Sequence, residues 1–206
     1  SDKRIGPAFL HPGCGYGGSC FPKDVKALIH MAEGVGSKPV LLRAVELRNE
    51  AQKRLLFEKI ARRFGSDLSG RCFAVWGLAF KPGTDDMREA SSVVLLQALL
   101  EAGAEIRAHD PEALTAARRV LPPAWLDGGR LQLTDDPYAA LAGAHALVLV
   151  TEWDAYRHPD FRRMAALMAT PAIFDGRNVY DPDELRRLGF EYQGIGRVLT
   201  GGGCAA

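Results

Sequence analysis

From Arg71 onward the sequence alternates between two textures, and that alternation limits the fold more than any other feature of the chain. CFAVWGLAF, AEIRAHD, HALVLVT and PAIFDG are short apolar runs suited to buried strands, whereas SSVVLLQALLEAG, FRRMAALMA and DPDELRRLG have helical character. Strands alternating with helices predict an α/β fold with a doubly wound, mainly parallel, Rossmann-like sheet. Ligands of such sheets gather at the carboxyl ends of the strands. With 206 residues, 47% of them hydrophobic, the chain can bury the core this requires.

Ahead of the sheet, SKPVLLRAVELRNEAQKRLLFEKIARRFG reads as one long central helix, with Ser37 as its N-cap, Pro39 in its first turn and Gly65 as its terminator. Leu41, Ala44, Leu47, Ala51 and Leu55 form one apolar line, and Leu56, Ile60 and Phe64 continue on an adjoining side. A helix apolar on more than one side lies between other elements or between subunits. PKDVKALIHMAEGVG before it reads as a shorter helix, with Pro22 in the first turn and Gly34 as the stop. The expected organisation is a loop and helices over residues 1–66, a sheet domain over 67–198 and a mobile tail over 199–206. The stretch GSDLSG, Gly65 to Gly70, is the expected linker.

Charge and composition narrow the partners. Lys and Arg number 26 against 25 Asp and Glu, so no single-sign field draws the chain to nucleic acid or an anionic membrane. No run approaches the roughly 20 apolar residues of a membrane span, and SDKRIG has no signal-peptide core, so a cytoplasmic protein is expected. Cys14, Cys20, Cys72 and Cys204 are irregularly spaced, unlike a disulfide framework. No metal is expected either, because His11, Cys14 and Cys20 have no matching fourth ligand.

The stretch HPGCGYGGSCFPKD, His11 to Asp24, holds Gly13, Gly15 and Gly18 in the letters of a dinucleotide fingerprint. Its context fails: Pro7 and Pro12 interrupt the lead-in, and no second strand follows with an acid at its end. What remains is Cys20 between clustered glycines and the start of a helix, where free N–H groups and the positive helix end favour a thiolate. Asp24 falls in the first turn of that helix. A thiolate beside a carboxylate suits covalent attack on a carbonyl followed by water activation. The plainer alternative, Cys20 as a small packing residue and Asp24 as a first-turn acid, stays open on these grounds.

GYGGSCFPKD, GLAFKPGTDDMREASS (Gly77 to Ser92), DPYAALAGAHALVLVTEWDAYR (Asp136 to Arg157) and FDGRNVYD (Phe174 to Asp181) together resemble the UDP-glucose/GDP-mannose dehydrogenase family over nearly the whole chain. Within that family the likeness is to members acting on UDP-glucose. The resemblance implies oxidation of the sugar C6 alcohol to a carboxylate with two NAD molecules, through a cysteine thiohemiacetal and thioester. It makes Cys20 the nucleophile and Asp24 the carboxylate that orients or deprotonates water. Arg4 matches an arginine reaching into the neighbouring subunit's site. Phe9, Leu10, His11, Gly13, Tyr16 and Gly17 match the loop along the substrate; Phe80, Lys81 and Arg177 match further substrate contacts. Lys23 and Arg88 match residues near the cofactor. The long helix resembles the family's homodimer helix, and His109, His145 and His158 are left as structural.

The same resemblance implies that the family's N-terminal NAD-binding domain lies outside this chain, so that the chain alone does not turn over. Two other readings remain: a dehydrogenase of another nucleotide sugar, such as GDP-mannose or a UDP-N-acetylhexosamine, or a non-catalytic nucleotide-sugar-binding or dimerisation module. Ser19 ahead of the cysteine and Phe21-Pro22-Lys23-Asp24 after it favour UDP-glucose over acetamido sugars.

Overall fold

The four expected strands join two further ones, one at each edge, in one six-stranded sheet. In the computed structural model, which describes residue 6 and residues 10–197, β1 (Cys72–Trp76), β2 (Glu105–His109), β3 (Leu131–Leu133), β4 (Ala146–Leu149), β5 (Ala172–Asp175) and β6 (Glu191–Gly194) lie in the order β3-β2-β1-β4-β5-β6. Every pairing is parallel, with Ala74 at the centre between Arg107 and Leu147. The expectations for Arg4, Phe9 and the tail at 199–206 lie outside the described residues.

Successive strand side chains point to opposite faces, so each apolar run feeds two cores. On one face Phe73, Val75, Val148 and Phe174 meet Leu95, Leu96 and Leu99 of α3 (Ser91–Glu101). On the other, Trp76, Leu149 and Ile173 meet Leu141 of α6 (Pro137–Leu141), Met164 of α7 (Phe161–Leu167) and Leu185 of α8 (Pro182–Arg187). Each such side chain, fully buried, contributes about 1.5–3 kcal/mol. The short helices α4 (Leu114–Val120) and α5 (Pro123–Asp127) lead into β3.

Two helices precede the sheet, α1 (Phe21–Gly34) and α2 (Val40–Phe64). α1 begins and ends where its proline and glycine predict. α2 starts later than the expected Ser37 cap: Pro39 occupies the N-cap, and the Ser37 N–H donates to the Ala32 carbonyl at 2.8 Å, closing α1 instead. Gly36, at φ +74°, makes the reversal between them. The second half of α2 lies on the sheet, with Leu56 and Ile60 sealed in the same core as Phe73. The stretch expected as a linker is packed as well, since Leu68 is fully buried and its N–H donates to the Ala102 carbonyl at 2.8 Å.

Candidate functional site

The strand order places a topological switch between β1 and β4, and the residues beyond those strands open there. Gly77, at φ +96°, would bring a Cβ to 2.5 Å of Thr151, so only glycine lets the turns after β1 and β4 touch. Asp110, just beyond β2, stands where a dinucleotide-binding sheet keeps its ribose-binding acid. Its oxygens are already committed. Oδ2 accepts from the Leu78 and Ala79 N–H groups at 2.7 and 3.1 Å and from Trp153 Nε1 at 3.1 Å, while Oδ1 accepts from the Glu112 and Ala113 N–H groups at 2.9 and 2.8 Å. This acid braces the turn after β1 and is itself fully buried.

The glycine segment lies across the carboxyl ends of β4 and β5. Cys14 is buried with Sγ 3.7 Å from the Val150 carbonyl, and burial pushes its thiol up to about 11, so it packs rather than reacts. A Cβ on Gly13 would come 2.7 Å from the Arg177 guanidinium, and one on Gly17 would come 2.4 Å from the Glu89 carbonyl. Gly18 sits against the Phe80 ring and donates its N–H to the Arg88 carbonyl at 2.8 Å. Gly13, Gly17 and Gly18 admit side chains and backbone of the protein itself.

Side chains of α2 hold the segment from the other side. Buried Asn49 accepts from the Tyr16 N–H at 2.8 Å and donates to the Tyr16 carbonyl at 3.1 Å, and Gln52 donates to the Gly13 carbonyl at 2.6 Å. The Tyr16 hydroxyl donates to Glu46, and burial together with that acceptor raises its pKa. Sequence reasoning missed Asn49 and Gln52, because in a helix already rich in charged residues two more polar side chains carry no signal.

Cys20 occupies the N-cap of α1 and is exposed, with Sγ 3.6 Å from Ser19 Oγ. Asp24 lies in the first turn, its N–H donating to the Cys20 carbonyl at 2.8 Å and its carboxylate 3.5 Å from Lys23 Nζ. Two clefts flank this loop. One, about 570 Å³, brings together His11, Gly13, Tyr16 and Arg177 beside Asn49 and Gln52. The other, about 540 Å³, brings together Lys23 and Arg88 with Ser19, Lys26 and Glu89. Leu10 and Lys81 are exposed and line neither, and Lys81 Nζ lies 5.5 Å from the centre of the Phe80 ring.

Arg177 follows β5 and is anchored twice, by its N–H on Asp175 Oδ1 at 2.9 Å and by its guanidinium on Glu152. Arg88 forks onto Asp86 at 2.7–3.1 Å, holding that carboxyl below its ordinary range. His109 Nδ1 is 2.7 Å from the Tyr156 hydroxyl, and His145 Nδ1 accepts from the Cys72 N–H at 3.1 Å. Among the described residues no three His, Cys, Asp or Glu side chains group as a metal site, and no helix is long and apolar enough to cross a membrane.

The fold that carries these residues is shared with solved nucleotide-sugar dehydrogenases. A UDP-glucose dehydrogenase from Pyrobaculum islandicum superposes with a TM-score of 0.78 at 37% identity, covering 94% of this chain and 41% of that one. An NDP-N-acetyl-D-galactosaminuronic acid dehydrogenase from Methanosarcina mazei Go1 gives 0.71 at 30% identity over 90% and 39%. The chain belongs to the UDP-glucose/GDP-mannose dehydrogenase family: residues 74–182 match its UDP binding domain and residues 1–51 its central domain. Among curated relatives, the UDP-glucose 6-dehydrogenase of Pseudomonas aeruginosa is 57% identical over 98% of this chain and 44% of its own length. That of Rhizobium meliloti is 44% identical over 95% and 43%. The chain thus spans less than half the length of these relatives.

Proposed function

We propose that the chain is the C-terminal part of a UDP-glucose 6-dehydrogenase, with Cys20 as its nucleophile. The observation that carries this reading is an exposed cysteine at a helix N-cap, in a loop whose earlier residue Tyr16 lines a cleft with Arg177 and whose neighbours Ser19 and Lys23 line a cleft with Arg88. The first cleft suits a sugar nucleotide, its arginine offering a fixed fork to phosphate or sugar oxygens. Phe80 presses on Gly18 and Lys81 follows it, so the turn after β1 reaches the same loop. Arg4 and Phe9 would complete the substrate contacts, Arg4 in a neighbouring subunit.

NAD, when bound, supplies the acceptor for each of two hydrides leaving C6. Lys23, Lys26 and Arg88, the last two paired with Glu89 and Asp86, fit the phosphate charge of one end of that cofactor, and Asp110, the acid beyond β2, has both oxygens held by the chain itself. The rest of the cofactor therefore belongs to another part of the enzyme, and the chain by itself is inactive. At the aldehyde stage the Cys20 thiolate adds to C6, forming a C–S bond on a tetrahedral carbon that still carries hydrogen. Loss of that hydrogen as hydride leaves a thioester. Water, oriented or deprotonated by Asp24, attacks the thioester carbon and releases the carboxylate and the thiolate.

Residues 1–66 are read as the catalytic loop and dimerisation helices and 67–198 as the UDP-sugar domain of a cytoplasmic homodimer. Exposure of Leu41 and Leu47 on α2, at 76% and 73%, supports an apolar face for a second copy. In the enzyme completed with its NAD-binding part, Cys20→Ala abolishes NADH formation while calorimetry still shows UDP-glucose binding. Turnover by that variant sinks the reading, and loss of binding with loss of turnover reassigns Cys20 to the binding site.

A further inference from the structure

Glu89 stands where the backbone favours glycine. Its φ of +54° lies in the left-handed region, which residues bearing a long side chain rarely adopt. Contacts to three elements meet at this residue. Its carboxylate accepts from Lys26 Nζ of α1 at 2.8 Å and from Lys53 Nζ of α2 at 3.2 Å. Lys53 is almost completely buried, with Glu50 at 3.6 Å as a further acidic neighbour. The two lysines, Lys26 foremost, hold the Glu89 carboxyl below its ordinary range, so it is charged at neutral pH.

The peptide around Glu89 is the mould for the nucleophile loop. Its carbonyl lies 2.4 Å from where a Gly17 Cβ would be, and the Arg88 carbonyl accepts the Gly18 N–H at 2.8 Å. Cys20 lies two residues beyond Gly18 and occupies the N-cap of the helix that carries Lys26. The turn after β1, the helix behind Cys20 and the helix shared with the sheet core are therefore joined at one side chain.

We propose that Glu89 is a positioning residue: its carboxylate clamps α1 and α2 to the turn at residues 88–90 and so sets where Cys20 stands. The proposal rests on the reading of Cys20 as nucleophile. If the carboxylate had no such role, glycine would serve at least as well at this φ. Glu89→Gly keeps the backbone and removes the clamp, Glu89→Gln keeps the shape and removes the charge, and Lys26→Met breaks the α1 leg alone.

Hydrogen exchange in this chain should rise about three- to tenfold at the Gly18 amide in both Glu89 variants, and less in Lys26→Met, with the melting temperature held within a few degrees. In the completed enzyme, both Glu89 variants should lower kcat about tenfold while KM for UDP-glucose stays within about twofold. Unchanged exchange in all three variants overturns the clamp. Faster exchange with unchanged kcat overturns its role in positioning, and so does a global loss of folding in both Glu89 variants with wild-type exchange in Lys26→Met. Turnover by Cys20→Ala would instead overturn the nucleophile reading and leave the exchange result to judge the clamp by itself.

Discussion

The two halves of α2 carry comparable apolar lines and bury them to opposite degrees. Leu56 and Ile60 are sealed at 1% and 0% exposure, and Phe64 meets Phe73 edge-on with ring centres 5.6 Å apart. Leu41 and Leu47 are 76% and 73% exposed, and Phe21, Leu28 and Met31 of α1 are open as well. Between the halves sit Asn49, Gln52 and Lys53, which turn inward to the glycine segment and Glu89. Apolar periodicity thus says that a face needs a partner; where the partner lies is decided by the rest of the chain. The inner half finds it in the sheet, and the outer half is left with an apolar surface.

The largest effect that would break this contrast comes from truncating matching side chains. Ile60→Ala should cost about 2–5 kcal/mol in urea unfolding, because it opens a cavity in the core. Leu47→Ala, compared at a concentration where the chain is a monomer, should stay within about 0.5 kcal/mol. Equal losses would mean that the outer line is buried after all. Leu41→Glu with Leu47→Glu should leave unfolding of the isolated chain nearly unchanged and weaken its self-association in sedimentation; association of undiminished strength would place the second copy elsewhere.

Glycines sharpen the comparison at a smaller scale. Gly17→Ala forces a Cβ onto the Glu89 carbonyl, a backbone atom that cannot swing aside, and should cost about 1–3 kcal/mol. Gly34, the last residue of α1, has open space around it. There alanine should gain up to about 1 kcal/mol, by restricting the unfolded chain and by its better helix propensity. A loss at Gly34 or none at Gly17 would contradict the packing described for the segment.

What the sequence reveals follows from the same division. β1, β2, β4 and β5 are legible as apolar runs because the centre of the sheet is covered on both faces. β3 and β6 escape because they are edge strands of LQL and EYQG, with part-exposed residues and no continuous apolar run. The exposed cysteine is legible because glycines run directly into a helix start. Ser37 misleads as a cap because its N–H serves the preceding helix, and a tight turn leaves no letter for that. Glu89 is illegible for a similar reason: a positive φ on glutamate has no sequence signature, and its lysine partners lie on two other elements.

The smallest expected effect tests whether the inner half is also held at its end. Arg63, in the last turn of α2, donates from Nε and Nη2 to both Glu191 oxygens of β6 at 2.6 and 2.7 Å. That fork holds the Glu191 carboxyl below the ordinary glutamate range. A carboxyl whose folded value lies below its unfolded one adds stability above the unfolded value of about 4.3 and loses it as pH falls through the folded value. Arg63 is 37% exposed, so solvent screening limits the contribution to about 1 kcal/mol or less. Unfolding of the chain and of Glu191→Gln should therefore differ by that amount at about pH 6, converge as pH falls through the folded value of Glu191, and converge also in about 1 M salt at about pH 6. Taking the difference between the two cancels the other carboxylates. A gap that persists at low pH would assign the effect to packing of the β6 edge, and the end of α2 would then be held by its apolar contacts alone.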